Sequence, residues 1–340
     1  MNSRRCLSLV LLAAAMLASS LAWAESVNVY SARKEQRIKP LLDQFTEETG
    51  IEVNLLTATS SSLIKRIELE GPNTPADVLI TVDAGRLFFA KVIGVTQAIP
   101  SEVVKTEIPA NLRDSDDHWV ALSRRARPIL YARSRVRENE LSTYENLADS
   151  QWRGRLCLRS SNNVYNQSLV ASMIEANGEE ATLAWVQGLV SNLARQPQGG
   201  ARNQILAVAE GECDITLVNS YYLALMLSSK VKRERRAAKR IGVFWPDQDG
   251  RGTHVNVSGI ALVKHARHKD NAVRLIEFLL GEQAQLWYAN ANFEYPVTDV
   301  PHENRILSRW GDFKADPVSA SRLGELNAEA VRLMQRGGWQ

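Results

Sequence analysis

Apolar residues follow two alternating rhythms along this chain. Val27-Asn28-Val29-Tyr30 reads as a strand. Ile38, Leu41, Leu42 and Phe45 then fall at i, i+3, i+4 and i+7, the spacing of a helix with one apolar face. Gly50 stands where a helix ends on a C-cap glycine. Glu52 to Leu56 predicts the next strand, and Leu63, Ile64 and Ile67 a helix that stops near Gly71-Pro72. Val78-Leu79-Ile80-Thr81 is a third strand, apolar throughout, as in a sheet covered on both faces.

The second half repeats the style. Leu156-Cys157-Leu158 is strand-like; Leu169, Val170, Met173 and Ile174 form one helical face and Leu183, Val186, Leu189 and Val190 another. Ile205, Leu206 and Ala209 precede the strand Ile215 to Val218. Ile260 to Val263 is a late strand, followed by a helix carrying Val273, Ile276 and Leu279, and the C-terminus is helical through Leu326, Ala330, Leu333 and Met334. Strand–helix alternation of this kind predicts an α/β fold with largely parallel sheets.

The first residues change the picture. Arg4 and Arg5 precede an apolar, small-residue core from Leu7 to Leu21, and Ala22-Trp23-Ala24 is an A-x-A cleavage signal, so the mature chain is expected to begin at Glu25. The core is too short for a transmembrane anchor, and Cys6 lies in the charged region rather than at the cleavage point, against a lipoprotein. Loss of residues 1–24 removes two arginines and no acid, leaving 39 Lys plus Arg against 38 acids, a charge of +1. So balanced a chain is no whole-protein nucleic-acid binder. At 316 remaining residues, two lobes are expected rather than one core. Two cysteines remain, Cys157 and Cys213. Cys157 stands in the strand before the loop that holds Tyr165, and Cys213 just before the strand leading to Tyr221; an exported pair is expected to oxidise, the alternative being two buried thiols.

Enzyme signatures are thin: G-x-S-x-G, H-E-x-x-H and the phosphate-loop pattern are all absent. His265 and His268 stand without acidic or thiol companions, and the Asp114, Asp116, Asp117 run lacks the glycine and distal glutamate of a calcium loop. Arg124, Arg125, Arg127, Arg133, Arg135 and Arg137 surround Pro128-Ile129-Leu130-Tyr131 and read as the charged flanks of a strand. Lys230 to Arg240 reads as a solvated basic helix or loop.

The tyrosines are more informative. Tyr221-Tyr222 follows Asn219-Ser220 directly after a buried-looking strand, at the edge where open α/β sheets bind ligands. Tyr165 lies in a polar stretch from Ser160 to Ser168, again after a strand and before a helix. Such tyrosines could equally pack on a neighbouring helix. As ligands they would be phenolates, hard oxygen donors suited to a hard, highly charged ion, because a trivalent cation displaces the phenolic proton. Three phenolates balance Fe³⁺ and leave coordination positions for an anion such as carbonate.

At these residues the sequence resembles the periplasmic ferric-ion-binding proteins of ABC-type iron importers. The resemblance runs through Val29-Tyr30-Ser31-Ala32-Arg33, Phe45 to Asn54, Pro75-Ala76-Asp77-Val78-Leu79, Asn163-Val164-Tyr165-Asn166 and Asn219-Ser220-Tyr221-Tyr222. It implies a two-lobed α/β fold of the type II periplasmic-binding-protein kind, with the ligand in the interlobe cleft. The N-terminal lobe would hold 25–124 plus 251–302, and the C-terminal lobe 125–250 plus 303–340. It also implies a periplasmic monomer that ligates Fe³⁺ through Tyr165, Tyr221 and Tyr222 and delivers it, without catalysis, to an inner-membrane ABC permease. Several members carry a histidine arm just after the first strand; here those positions are Lys34 and Glu35. The resemblance is therefore to the subgroup with three tyrosines and a synergistic anion, in which the matching Arg33 and Asn163 contact carbonate or bicarbonate. Glu35 or Tyr30 as an additional iron contact stays open. The alternatives are a receptor for an organic solute or anion, with tyrosines stacking on it, and an extracytoplasmic enzyme using a tyrosine as acid or nucleophile.

Overall fold

The computed structural model describes residues 25–340, so the expected leader and its cleavage signal lie outside the described residues. Ten strands are β1 (Ser26–Ser31), β2 (Glu52–Thr57), β3 (Val78–Val82), β4 (Thr96–Gln97), β5 (Trp119–Ala126), β6 (Ile129–Ala132), β7 (Leu156–Cys157), β8 (Ile215–Leu217), β9 (Ile241–Phe244) and β10 (Val255–Val263). They form two separate sheets. One runs β2-β1-β3-β10-β4, with β5 also paired to β10; the other runs β7-β8-β6-β9.

The local readings map closely onto these elements. The helix Lys39–Thr49 buries Leu41, Leu42 and Phe45 and ends on Gly50 at φ 74°. The two apolar faces, one around Leu169 and one around Val186, belong to a single helical run, Val164–Ser191, broken at Gly178 with φ 76°. All nine residues of β10 are buried, as a central strand covered on both faces requires.

The expectation of largely parallel sheets is corrected. Only β1–β2, β1–β3 and β7–β8 are parallel. β10 runs antiparallel to β3, β4 and β5, and β6 antiparallel to β8 and β9. The reason is the chain path. It leaves the first sheet after β5, enters the second at β6, and returns from β9 into β10, so β10 arrives from the opposite end to its neighbours. The segments 127–128 and 245–254 are therefore the crossings between sheets.

Two further features bear on the site. Cys157 and Cys213 form a disulfide with Cα atoms 5.8 Å apart, tying β7 to the turn ahead of β8. The C-terminal helix Asn327–Arg336 packs on Val164–Ser191, while Ala320–Glu325 packs on Ala84–Val92, which follows β3. The chain end thus touches both halves.

Candidate functional site

Two helices begin at the ends of strands in the second sheet, and both begin with the tyrosines singled out above. Asn219 stands at the N-cap of Ser220–Leu227, which puts Tyr221 and Tyr222 in the first turn after β8. Asn163 stands at the N-cap of the helix that starts at Val164, which puts Tyr165 in its first turn. A helix N-terminus favours negative charge, here a phenolate. One buried guanidinium fixes the two starts relative to each other. Arg127 donates from Nη1 to Asn219 Oδ1 at 3.1 Å and from Nη2 to Asn166 Oδ1 and to the Leu217 carbonyl.

The three tyrosines converge on one cleft of about 480 Å³. The Tyr221 and Tyr222 rings lie 4.2 Å apart. Arg125, at the end of β5, donates to Tyr165 Oη at 3.0 Å and sits 5.5 Å from the Tyr221 ring centre. Arg33 enters from the loop after β1, and Lys34, Arg37, Arg159 and Arg202 complete the cationic lining. No carboxylate lines this cleft among the described residues.

Behind the lining stands Glu294, fully buried. It pairs with Arg33 Nη2 at 3.0 Å and Arg125 Nη2 at 3.2 Å, and Ser123 Oγ donates to it. Burial opposes its charge, but the two guanidiniums win and hold its carboxyl at about 2. Arg33 is thus no surface ion pair; its Nε and Nη1 remain without a hydrogen-bond partner.

The electrostatics of the phenols run the other way. Burial pushes Tyr165 up from the ordinary phenol value, partly offset by Arg125. Tyr221 is pushed up further, by burial and then by its neighbours Tyr165 and Tyr222. Before a metal ion enters the cleft these two phenols are therefore neutral at pH 7 and ready to exchange protons for it. The chemistry on offer is ligation by hard oxygen, with spare cations for an anion. Among the described residues, no group of three His, Cys, Asp or Glu is placed to hold a metal.

The remaining sequence candidates separate. Asn163 caps its helix but does not line the cleft, and its buried Oδ1 has no partner. Glu35 is exposed and outside the lining, where Lys34 takes the place. Tyr30 points away, its hydroxyl on Glu70 at 3.2 Å and its ring against Arg66. Arg125 and Arg127, read above as charged strand flanks, are both buried, because Glu294, Tyr165, Asn166 and Asn219 give them partners. A sequence hint existed. Arginines set close before the apolar Ile129-Leu130-Tyr131 run, and Glu294 between Phe293 and Tyr295, are charges in apolar company.

Comparisons with known proteins fit this geometry. Residues 73–314 match the family described as bacterial extracellular solute-binding protein. Iron uptake protein A1 of Synechocystis is 47% identical over 316 residues, 93% of this chain and 88% of that protein. The major ferric iron-binding protein of Neisseria meningitidis serogroup B is 28% identical over 96% of this chain and 97% of its own. Among solved structures, Trichodesmium IdiA (FutA) in complex with iron and citrate ligands superposes with a TM-score of 0.90 at 46% identity, covering 93% of this chain and 100% of that one. Mannheimia haemolytica ferric iron-binding protein A in an open conformation gives 0.87 at 40%, covering 93% and 99%.

Proposed function

This chain belongs to the bacterial extracellular solute-binding proteins, in the branch of the ferric-iron-binding receptors, and we propose that it holds Fe³⁺ through the phenolates of Tyr165, Tyr221 and Tyr222. It is a binding protein of an iron transport system and not an enzyme. Its fold is the two-lobed α/β, type II solute-binding fold. The observation that carries the ligand assignment is the convergence of three phenols on one cleft whose other charged side chains are all cationic.

Capture then follows from charge. Fe³⁺ displaces the phenolic protons, and three phenolates neutralise it. The cleft keeps its arginines, so an anion completes the complex. Arg33 offers two unpaired N–H positions to it, and a guanidinium fork matches a carboxylate or carbonate bidentately. Carbonate or bicarbonate fits this role, and the breadth of the cationic lining also suits a larger carboxylate. Arg33 comes from the lobe that carries β1, here taken as 25–124 plus 251–302, whereas the phenols come from the other, 125–250 plus 303–340. An anion held between them favours the closed state by its own differential affinity. The loaded monomer would hand its iron to an ABC permease in the inner membrane, after export and cleavage behind Ala24.

Purified protein should show a visible phenolate-to-Fe³⁺ charge-transfer band. Tyr221→Phe and Tyr222→Phe should each weaken iron binding strongly and shift that band; unchanged colour and affinity in both variants would end the assignment. Iron titrations with and without bicarbonate, in wild type and Arg33→Ala, test the anion. Identical curves in wild type would remove it from the site.

A further inference from the structure

β5 presents consecutive arginines to opposite faces, as strand alternation demands. Arg125 faces the tyrosine cleft. Arg124 lines a second cavity, of about 520 Å³, built from the segments 295–302 and 307–313. Arg124 is half-buried, yet among the described residues no carboxylate pairs with it. Its side-chain bond is from Nε to the Pro296 carbonyl at 2.7 Å, which aims the guanidinium without neutralising it. Burial lowers its pKa, the sign of a cation short of a counter-charge.

The walls of this cavity hold other unmet needs. Tyr295 Oη, Thr298 Oγ1 and His302 Nδ1 are buried and none has a hydrogen-bond partner. Tyr295 is only 7% exposed. Three such groups around one concavity are a cost to the fold unless something else supplies partners. The rest of the wall is apolar, with Leu307 beneath and Phe313 edge-on to Tyr295 at 5.1 Å. Asp299 and Asp312 are exposed and belong to the same lining.

We propose that this cavity binds a small aminocarboxylate of the α-amino-acid class, with its carboxylate on Arg124 and its ammonium group toward Asp299 and Asp312. A guanidinium fork pairs carboxylate and phosphate alike, so the choice between them falls to charge: one cation facing two acids repels phosphate and polycarboxylates. The ammonium group turns those two acids from an obstacle into partners. The apolar wall takes a short side chain, and the unpaired hydroxyls and imidazole take the remaining lone pairs and protons. This site shares no lining residue with the tyrosine cleft, so it can fill whether or not iron is bound.

The test is a calorimetric titration of iron-free protein with valine, acetate and inorganic phosphate, alongside amide chemical shifts in ¹⁵N-labelled protein. Valine should bind, should move the Tyr295, Thr298 and His302 amides, and should outcompete acetate and phosphate. Arg124→Gln should weaken valine about tenfold or more. Tyr295→Phe, which keeps the ring, should weaken it less, and Tyr222→Phe should leave it unchanged. Iron binding by Arg124→Gln reports that the variant is folded. No response to valine, equal affinity in Arg124→Gln, or loss in Tyr222→Phe would overturn the proposal; phosphate binding more tightly than valine would overturn the ligand class.

Discussion

Glu294→Gln is the most informative single change in this molecule. It preserves shape and removes the one negative charge that Arg33 and Arg125 share. The native carboxyl is held at about 2 against an ordinary 4.5, a difference worth about 3 kcal/mol of folding stability. Removing one partner from a buried ion pair costs about 3–5 kcal/mol by an independent route. The two agree, so the iron-free variant should melt about 6 °C lower at pH 7, taking about 2 °C per kcal/mol for a chain of this size. The pH dependence has a definite sign. A carboxyl depressed in the fold contributes fully above its ordinary value and loses that contribution as pH falls toward 2. The stability gap between wild type and variant should therefore be constant from pH 7 to about 5 and narrow between 4.5 and 2. Urea melts across that range measure it. The variant should also lean harder on added bicarbonate, because two unpaired guanidiniums then face the cleft. A variant as stable as wild type at pH 7, or a gap that does not narrow in acid, would refute the reasoning.

Other outcomes follow from the same structure. Iron affinity should fall as pH falls, since burial raises the Tyr165 and Tyr221 phenols and iron must displace their protons; proton release on loading, measured in unbuffered solution, checks this. Reducing the Cys157–Cys213 bond, or replacing both residues with serine, should lower stability by about 4 kcal/mol in urea melts, the chain-entropy value for a loop with a separation of 56 residues. His254 is buried with neither ring nitrogen partnered, and burial lowers it from 6.5 to about 3. The unfolded chain takes up that proton first, so wild type should lose about 2 kcal/mol between pH 6.5 and 5, and His254→Leu should abolish that part of the slope.

Much of this was legible in the sequence because it is local. The period of the apolar residues located β1, β3 and the helix Lys39–Thr49, and the polar stretches after strands located all three tyrosines. Cys157 and Cys213 paired because the strands they border are neighbours, β7 beside β8. What stayed hidden is non-local. An apolar run such as β10 reads identically whichever way it crosses the sheet, so nothing local distinguished antiparallel from parallel pairing. Arg125 meets Glu294 across 169 residues, and Arg127 meets Asn219 across 92. Apolar company can hint that a charged residue is buried, but the local sequence does not name the distant partner that makes the burial tolerable. The motif around Arg33 was visible, but its carboxylate was not.

The two tyrosine-bearing helix starts are bolted together by Arg127 and flanked by the disulfide, all beside the second sheet. The consequence is a division of labour between seat and lid. On the proposed ligation, an ion resting on three phenolates of a single half would stay seated when the other half swings away. Prising the proposed receptor open would then uncover the cargo without unloading it. Unloading would then need a chemical event at the seat itself, the arrival of protons, of a stronger oxygen donor, or of an electron that softens the ion. Gate and latch are separate parts, and a transporter that merely opens this receptor would hold a loaded cup.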